Sequence, residues 1–223
     1  MAYQFDFLWL LEYYPVLLKG IRITIQLIAI GAVFGIALGI ACAWVRALGP
    51  SWLKPVVAGY VELIRNTPFL IQLFFIFFGL PSLGIQMSEL TAANLAMIVN
   101  LGAYSCEIVR AGIQATPKGQ FEAGASLAMT PFQTFWHVVL VPSLQRIWPA
   151  LSSQVIIVML GSAVCGQIST EELSYAANLI QSRNFRAFEA FIIATLTYLA
   201  LAIAARRLLM WAGPRFIFGR RAA

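Results

Sequence analysis

Five long apolar stretches divide the chain, with shorter polar segments between them. A helix that crosses the hydrocarbon core of a bilayer needs about 20 mostly apolar residues, and each stretch reaches that length. The pattern therefore predicts an all-α integral membrane protein that forms a single transmembrane domain over residues 1–223. The five predicted spanning helices cover residues 22–45, 56–80, 90–113, 148–168 and 187–209.

Composition narrows the class of protein further. Hydrophobic residues make up 61% of the chain and charged residues 11%, against about 45–50% and about 25% in soluble domains. The net charge of +6 comes from basic residues at the ends of apolar runs and in the tail, not from a basic patch with exposed aromatics. We therefore expect contact with membrane lipid and no nucleic-acid partner.

The sequence contains none of the patterns that mark an enzyme. It has no GxxxxGK[ST] phosphate loop, and His137 is its only histidine. The three cysteines, Cys42, Cys106 and Cys165, lie inside apolar stretches, and their odd number predicts no disulfide framework. We expect no catalytic residue, no metal and no cofactor in this chain.

The placement of lysine and arginine predicts the orientation. If the N-terminus lies outside, eleven of the 15 basic residues fall inside, among them Arg220 and Arg221 in the tail. Basic residues accumulate on the cytoplasmic side of membrane proteins, so we expect the C-terminus in the cytoplasm. Residues 116–142, which are too polar to span, then lie in the cytoplasm as well.

Two helix starts occur within this cytoplasmic segment. Thr116-Pro117 places threonine at the N-cap and proline at the first helical position, and Thr130-Pro131 is followed by Gln133 at capping-box spacing. We expect two short helices, the second ending near Pro142, because a proline inside a helix removes a hydrogen bond and clashes with the preceding turn. Apolar positions recur at helical spacing through both helices: Phe121, Ala125, Ala128, Phe132, Phe135 and Val139.

The apolar face of this segment requires a cover. The candidates are the membrane surface, the ends of the protein's own helices and another protein. Helices that bind a membrane surface carry many basic residues on their polar face, whereas Lys118 is the only one before Arg146. Small residues such as Ala123 and Ser126 instead fit a groove on a partner protein.

The letters EAGASLAMTP at residues 122–131, followed by VVLVP at 138–142, resemble the EAA loop of bacterial ABC importer permeases. Three further stretches look like the polar amino acid subfamily of these permeases, the relatives of the histidine and glutamate/aspartate permeases: RNTPFLIQLFF (65–75), GAYSCEIVRAG (102–112) and FRAFE (185–189). Three positions depart from the loop pattern. Gly124 replaces an alanine, Ala128 replaces a glycine, and Pro142 comes one residue late.

The resemblance implies a type I ABC importer permease fold, with a cytoplasmic coupling helix between the third and fourth spans. It implies an inner-membrane subunit that translocates an amino acid, a polar one, with the glutamate/aspartate type among the candidates. The implied partners are an ABC ATPase dimer that binds ATP and Mg, a second permease and a periplasmic amino-acid-binding protein. The residues that the resemblance assigns to ATPase coupling are Glu122, Ala123, Gly124, Ala125, Ala128, Phe132 and Pro142.

The second permease is expected to have a different sequence. Many relatives carry a charged or amide pair just before the serine that matches Ser162, whereas this chain has Leu160-Gly161. If that pair contacts substrate, the other subunit of a heterodimer supplies it. We therefore expect a heterodimer rather than a homodimer.

Polar residues inside the predicted spans mark a candidate pathway, because they are costly in lipid. Asn100, Tyr104 and Glu107 are spaced by four and three, so they share one helix face. Arg110 is placed to pair with Glu107, and an ion pair that only locks two helices together is the alternative interpretation.

The tripeptide Asn66-Thr67-Pro68 interrupts the second predicted span. It predicts a helix break, and the broken helices of transporters present backbone N–H groups that suit a carboxylate. Arg65 and Gln72 flank the break, although a bend that only shapes packing has the same pattern. The predicted substrate-pathway residues are Arg65, Thr67, Gln72, Asn100, Tyr104, Glu107 and Ser162.

Two further patterns have both a structural and a functional interpretation. Gly31, Gly35, Gly39 and Ala43 place a small residue at every fourth position, which predicts close packing of a neighbouring helix, either static or sliding. Residues 168–182 contain a capping signature ahead of an amphipathic helix, which contacts a binding protein or covers helix ends.

The main alternative function is an ATP-independent secondary transporter or channel subunit for small solutes. Many secondary transporters contain internal repeats, and the two halves of this chain show no convincing similarity. An odd number of spans also favours assembly with a second permease around the pathway.

Overall fold

The computed structural model describes residues 4–217, so Arg220 and Arg221, which entered the orientation count, lie outside it. Its helices, in chain order, are α1 (Leu10–Leu48), α2 (Leu53–Arg65), α3 (Phe69–Ser82), α4 (Glu89–Gln114), α5 (Lys118–Ser126), α6 (Pro131–Ile168), α7 (Leu173–Asn184) and α8 (Ala187–Ala212). Turns of π-helix occur at Phe75–Gly79, Phe135–Val139 and Gly213–Ile217, and α6 ends in a 3₁₀ segment over Ser162–Ile168.

Four of these helices, α1, α4, α6 and α8, are long and apolar enough to cross a membrane. Helices α2 and α3 pass the same test together, with a bend of 111° between them, and form a fifth span if they cross as one. The predicted all-α membrane fold with about five spans is confirmed.

Two spans begin earlier than the apolar runs indicated. Helix α1 starts at Leu10 instead of residue 22, and α6 starts at Pro131 instead of residue 148. Both extensions contain charged residues, such as Lys19 and Arg146, which a search for apolar runs excludes. A helix satisfies its own backbone groups and continues through such residues, whose long side chains reach water near the bilayer surface.

The predicted end of a short helix near Pro142 is wrong, because α6 runs through this residue without interruption. Pro142 follows shortly after the π-helical turn Phe135–Val139. A π turn already interrupts the regular ladder of hydrogen bonds, so the missing N–H of the proline disturbs fewer regular bonds there. The second half of the segment 116–142 therefore leads into the fourth span as one continuous helix.

The glycine face of α1 packs closely against α4, as the small-residue spacing predicted. A Cβ atom at Gly35 would lie 2.9 Å from the Cβ of Leu101, and one at Gly39 would overlap Ser105. Any side chain at these positions would push the two backbones apart. The close contact positions α4, which carries Asn100, Tyr104 and Glu107.

The amphipathic helix indicated by the capping signature is α7, which packs against α1 and α8. A Cβ atom at Gly20 would lie 3.0 Å from the Cα of Leu173, so the backbones of α1 and α7 touch. The buried face of α7 consists of Leu173, Ala176, Ala177 and Ile180. This face of α7 covers parts of α1 and α8, and contact of α7 with a binding protein stays a prediction.

Candidate functional site

The bend between α2 and α3 lies at Asn66-Thr67-Pro68, where a break was predicted. Pro68 occupies the N-cap position of α3, and Thr67 Oγ1 donates a hydrogen bond to the Leu63 carbonyl at 2.8 Å. The predicted helix break at this tripeptide is confirmed.

The buried side chain of Gln72 connects the two helices at this break by hydrogen bonds. Its Nε2 donates to the carbonyl oxygens of Ile64 at 2.7 Å and Thr67 at 3.0 Å, and its Oε1 accepts from Asn100 Nδ2 at 2.9 Å. The side chain is only 7% exposed. The structure therefore assigns Gln72 to the support of the break and to its attachment to α4, instead of to direct contact with a solute.

A cavity of about 430 Å³ lies beside the break, within the range of about 300–1,000 Å³ that is usual for small-molecule sites. Three of the predicted pathway residues, Thr67, Asn100 and Tyr104, meet in its wall, and Gln154 of α6 adds a fourth polar side chain. The other lining residues are Pro68, Phe69, Ile157, Val158, Gly161 and Val164.

Ser162, which was predicted to line the pathway, is not part of this lining. Its side chain is fully buried. Neighbouring residues of a helix point in different directions, so Gly161 lines the cavity while Ser162 lies in the protein interior.

Glu107 lies at the centre of three arginines that come from three helices. Arg110 Nη2 lies 2.7 Å from Oε2, Arg65 Nη1 lies 3.9 Å from Oε2, and Arg46 of α1 forms a close ion pair with Oε1. The predicted pair of Glu107 with Arg110 is confirmed. The sequence analysis did not predict a role for Arg46 in this cluster. The cluster ties α1, α2 and α4 together.

Arg65 connects this arginine cluster with the cavity. Its guanidinium carbon lies 5.6 Å from the centre of the Tyr104 ring, and its side chain is 42% exposed. Its distance to Glu107 is the longest that the three arginines show. Because Coulomb attraction falls with distance, Arg65 is the guanidinium most easily drawn to another anion.

A second cavity, of about 370 Å³, borders the same arginine cluster. Arg46, Arg110 and Lys118 contribute to its wall, together with Phe121 of α5. The cluster is therefore adjacent both to the polar cavity and to α5.

Most of the predicted coupling residues form an exposed surface, which we call the α5 surface. Its members are Glu122, Ala123, Ala125, Ala128 and Phe132. Phe132 is 54% exposed, and its ring also meets Trp44 of α1 edge-on at 5.5 Å between centroids.

Gly124 and Pro142 are placed differently from the rest of that predicted set. Gly124 is buried, and a Cβ atom there would lie 2.6 Å from Cγ2 and Oγ1 of Thr134. Its small size lets α5 pack against the start of α6, not against a partner. Pro142 is half-buried inside α6.

The apolar stripe predicted through both helices does not form one continuous face. Ala128 has a φ of 54°, and the chain turns here between α5 and α6. Phe135 and Val139 are buried after this turn, whereas Ala125 before it is exposed. A left-handed residue breaks the helical spacing on which the stripe depended.

The two predicted helix starts have different outcomes. Thr116 does not cap α5, because Pro117 occupies the N-cap position and Thr116 Oγ1 lies 3.0 Å from Ser143 Oγ of α6. The capping box formed by Thr130 and Gln133 is confirmed, with both reciprocal hydrogen bonds present.

Glu172 is a buried carboxylate that the sequence showed only as part of a capping signature. Its oxygens accept hydrogen bonds from the backbone N–H groups of Ser174 at 2.9 Å and Tyr175 at 2.7 Å, and Tyr198 Oη donates to Oε2 at 2.5 Å. Burial raises the pKa of the Glu172 carboxyl above its ordinary value, and these hydrogen bonds offset only part of the rise. Glu172 thus fastens α7 to α8.

Among the described residues, no group of His, Cys, Asp or Glu side chains could hold a metal ion. Cys42, Cys106 and Cys165 are free thiols, and all three are buried. A cysteine introduced on the surface is therefore the one that a thiol reagent reaches first.

Comparison with known proteins identifies the family. Residues 35–218 match the family described as binding-protein-dependent transport system inner membrane component. The L-cystine transport system permease protein TcyB of Bacillus subtilis (strain 168) is 36% identical over 173 residues, which is 78% of this chain and 74% of that protein. The glutamine transport system permease protein GlnP of Escherichia coli (strain K12) is 30% identical over 202 residues, 90% of this chain and 92% of that protein.

A solved structure has the same fold. The crystal structure of an amino acid ABC transporter with histidines contains a chain with a TM-score of 0.82 and 33% identity, covering 94% of this chain and 98% of that one. Both the family match and the relatives cover most of the sequence. The chain therefore belongs to the family of binding-protein-dependent transport system inner membrane components.

Proposed function

We propose that the chain is one permease half of an ATP-driven importer that moves an amino acid across the inner membrane. The cavity beside the helix break carries this proposal, because it brings Thr67, Asn100, Tyr104 and Gln154 together inside a membrane domain. The names of the cystine and glutamine permeases support an amino acid as the solute. Membership of a binding-protein-dependent family favours this function over an ATP-independent transporter or channel.

The α-carboxylate of the amino acid binds at the break in this proposal. Helix α3 begins at Phe69, after the N-cap Pro68, and the first backbone N–H groups of a helix have no partner within it. The positive end of the helix dipole and the nearby Arg65 guanidinium both favour a negative group at this position.

Replacement of Arg65 tests this carboxylate site. In the transporter assembled with its ATPase and binding protein, we expect R65A to raise the KM for uptake about tenfold to hundredfold, since a hydrogen bond to a charged group contributes about 1.5–3 kcal/mol. R65K should keep part of the affinity. K54A is the control, because Lys54 is a basic residue of α2 that lies outside the arginine cluster. It should leave the KM and the rate of uptake unchanged. Unchanged affinity and rate in R65A would remove the support for this site.

The α5 surface is the proposed docking site for the separate ATPase, which binds ATP and Mg²⁺. Its exposed small residues leave room for close approach of a partner. Lys118 and Phe121 of α5 line the second cavity together with Arg46 and Arg110 of the arginine cluster. A displacement of α5 would therefore reach α1 and α4, which the cluster ties together.

Cross-linking tests the docking site. A cysteine that replaces Glu122 or Ala125 should form a cross-link with the ATPase in the working complex, because both positions are exposed. Cysteine at the exposed Gln86, in the connection between α3 and α4, is the matched control and should not. Failure of both α5 positions to capture the ATPase would contradict the docking proposal.

The same variants test the orientation with the N-terminus outside. In intact cells, a membrane-impermeant thiol reagent should label the cysteine at Gln86 and leave the cysteine at Glu122 unlabelled until the cells are opened. The opposite pattern would reverse the orientation.

A second, different permease completes the pathway in this proposal, and a periplasmic binding protein delivers the substrate. The α6 side of the cavity supplies Gln154 as its only polar side chain among the described residues, which leaves polar contacts to another subunit. Purification of an active transporter that contains only this permease and an ATPase would refute the heterodimer.

A further inference from the structure

Gly161 is a helical glycine whose missing side chain has no explanation within the chain. Its φ of −64° and ψ of −20° are ordinary helical values that any residue adopts. A Cβ atom at this position would meet no atom of the described chain within 4 Å. Glycine is nevertheless unfavourable in a helix, because it loses more backbone freedom than alanine.

The position of Gly161 distinguishes it from other glycines. The α1 glycines, such as Gly35, touch the neighbouring helix and cannot carry a side chain. Gly59 and Gly119 have open space around them but do not line the polar cavity. Gly161 has open space and lines the cavity, so the volume that a side chain would fill is cavity volume.

The two walls of the cavity differ in chemistry. The wall formed by the break and α4 presents Thr67, Asn100 and Tyr104. The opposite wall, from α6 and its 3₁₀ segment, is apolar apart from Gln154, and consists otherwise of Ile157, Val158, Gly161 and Val164. None of the described residues in the lining carries a charge.

We propose that Gly161 and the apolar α6 wall select the substrate side chain: the cavity takes an amino acid with a bulky, uncharged and largely apolar side chain. This inference rests on the proposed function, which places the backbone groups of the amino acid at the polar wall. The side chain then extends across the cavity into the space beside Gly161. A charged side chain beside Gly161 would be desolvated against the apolar groups of the α6 wall, which offers it no opposite charge, so the glutamate/aspartate type expected from the resemblance is disfavoured.

Binding to the assembled transporter tests the inference. The complex of permeases and ATPase is purified without its external binding protein, so that only the membrane domain selects, and equilibrium binding of radiolabelled L-leucine, L-phenylalanine, L-alanine, L-glutamate and L-lysine is measured. We expect leucine and phenylalanine to bind at least tenfold more tightly than glutamate and lysine. G161L should weaken the binding of leucine and phenylalanine at least tenfold and that of alanine less than threefold.

G59L is the matched control, because Gly59 is also a helical glycine with open space around it but lies outside the cavity. It should leave all affinities unchanged. Binding of leucine to G161L as tightly as to the wild type would overturn the inference, as would preferential binding of glutamate or lysine to the wild type. In either case the amino acid importer itself still stands.

Two further outcomes are decisive. If G161L prevents assembly of the two permeases while G59L does not, Gly161 packs against the other subunit and the selection proposal is wrong. If none of the five amino acids binds to the wild-type complex, the cavity is not the substrate site, and the proposed function loses the observation that carries it.

Discussion

Ala128 is a residue in the left-handed backbone region, with a φ of 54°. Such a conformation costs an L-residue other than glycine about 1–2 kcal/mol, because its Cβ approaches a carbonyl oxygen. The EAA loops that this segment resembles carry a glycine here, and the structure gives the physical reason for that preference. Ala128 is exposed, so its replacement disturbs no packing.

We expect A128G to raise the free energy of unfolding by about 1 kcal/mol, because glycine adopts a positive φ without strain. Denaturation of the purified protein in detergent measures the change. The matched variant A125G, at an exposed helical position, should lower the free energy by about 0.5–1 kcal/mol. Equal effects of the two variants would show that backbone conformation at residue 128 does not determine stability.

Glu172 provides a prediction about pH. Its pKa is raised in the folded protein, so the folded state favours the protonated carboxyl. Its contribution to stability therefore increases as the pH falls through the raised pKa, and becomes constant below the ordinary pKa of the unfolded chain.

Thermal unfolding between pH 8 and pH 4, about the range in which a raised carboxyl pKa acts, measures this effect. The Tm of the wild type should rise with falling pH relative to that of E172Q, which does not titrate. Parallel pH profiles for the two proteins would contradict the raised pKa.

Among the elements, the break between α2 and α3 depends on the buried amide of Gln72. In Q72L the carbonyl groups of Ile64 and Thr67 lose this donor, and a buried unsatisfied polar group costs about 1–3 kcal/mol. We expect a loss of stability of that size, measured by denaturation in detergent. Q145L, at an exposed position of α6, should change stability by less than about 0.5 kcal/mol. A similar loss in both variants would show that the amide does not hold the break.

Helix α6 illustrates why one element was predicted incorrectly. The capping box at Thr130 and the apolar run after residue 148 were both recognised, but they belong to one helix and not to two. The prediction of a helix end near Pro142 depends on the rule that a proline disrupts a regular α-helix. The π turn Phe135–Val139 makes that assumption invalid.

At the scale of the whole molecule, the arginine cluster joins three helices through one carboxylate. The Glu107 side chain is only 20% exposed, and its carboxylate forms ion pairs with Arg46, Arg65 and Arg110. We expect E107Q to lower the free energy of unfolding by about 2 kcal/mol, since it weakens charged hydrogen bonds and leaves the three positive charges without their counter-ion.

The control for this variant is E171Q, which removes the exposed ion pair of Glu171 with Lys19. An exposed pair contributes about 0–1 kcal/mol, so this change should be much smaller when both are measured by the same denaturation assay. Equal losses would mean that the cluster does not tie α1, α2 and α4 together.

The sequence by itself determined the features whose causes lie within a few residues. The length of apolar runs predicts membrane spans, Asn66-Thr67-Pro68 predicts a break, and the glycine spacing of α1 predicts close packing. Each of these depends on backbone hydrogen bonding or side-chain size within one or two turns of helix. Thr67, Asn100 and Tyr104 were selected as pathway residues by the same local reasoning.

Only the tertiary structure decided which residues meet. Arg46 and Glu107 are 61 residues apart, Gln72 and Asn100 are 28 apart, and no local pattern relates the members of either pair. Packing also decided that Gln72 supports the break and that Gly161, not Ser162, faces the cavity. Spacing along a helix identifies residues that share a face, but the contacts of that face depend on the helices that pack beside it.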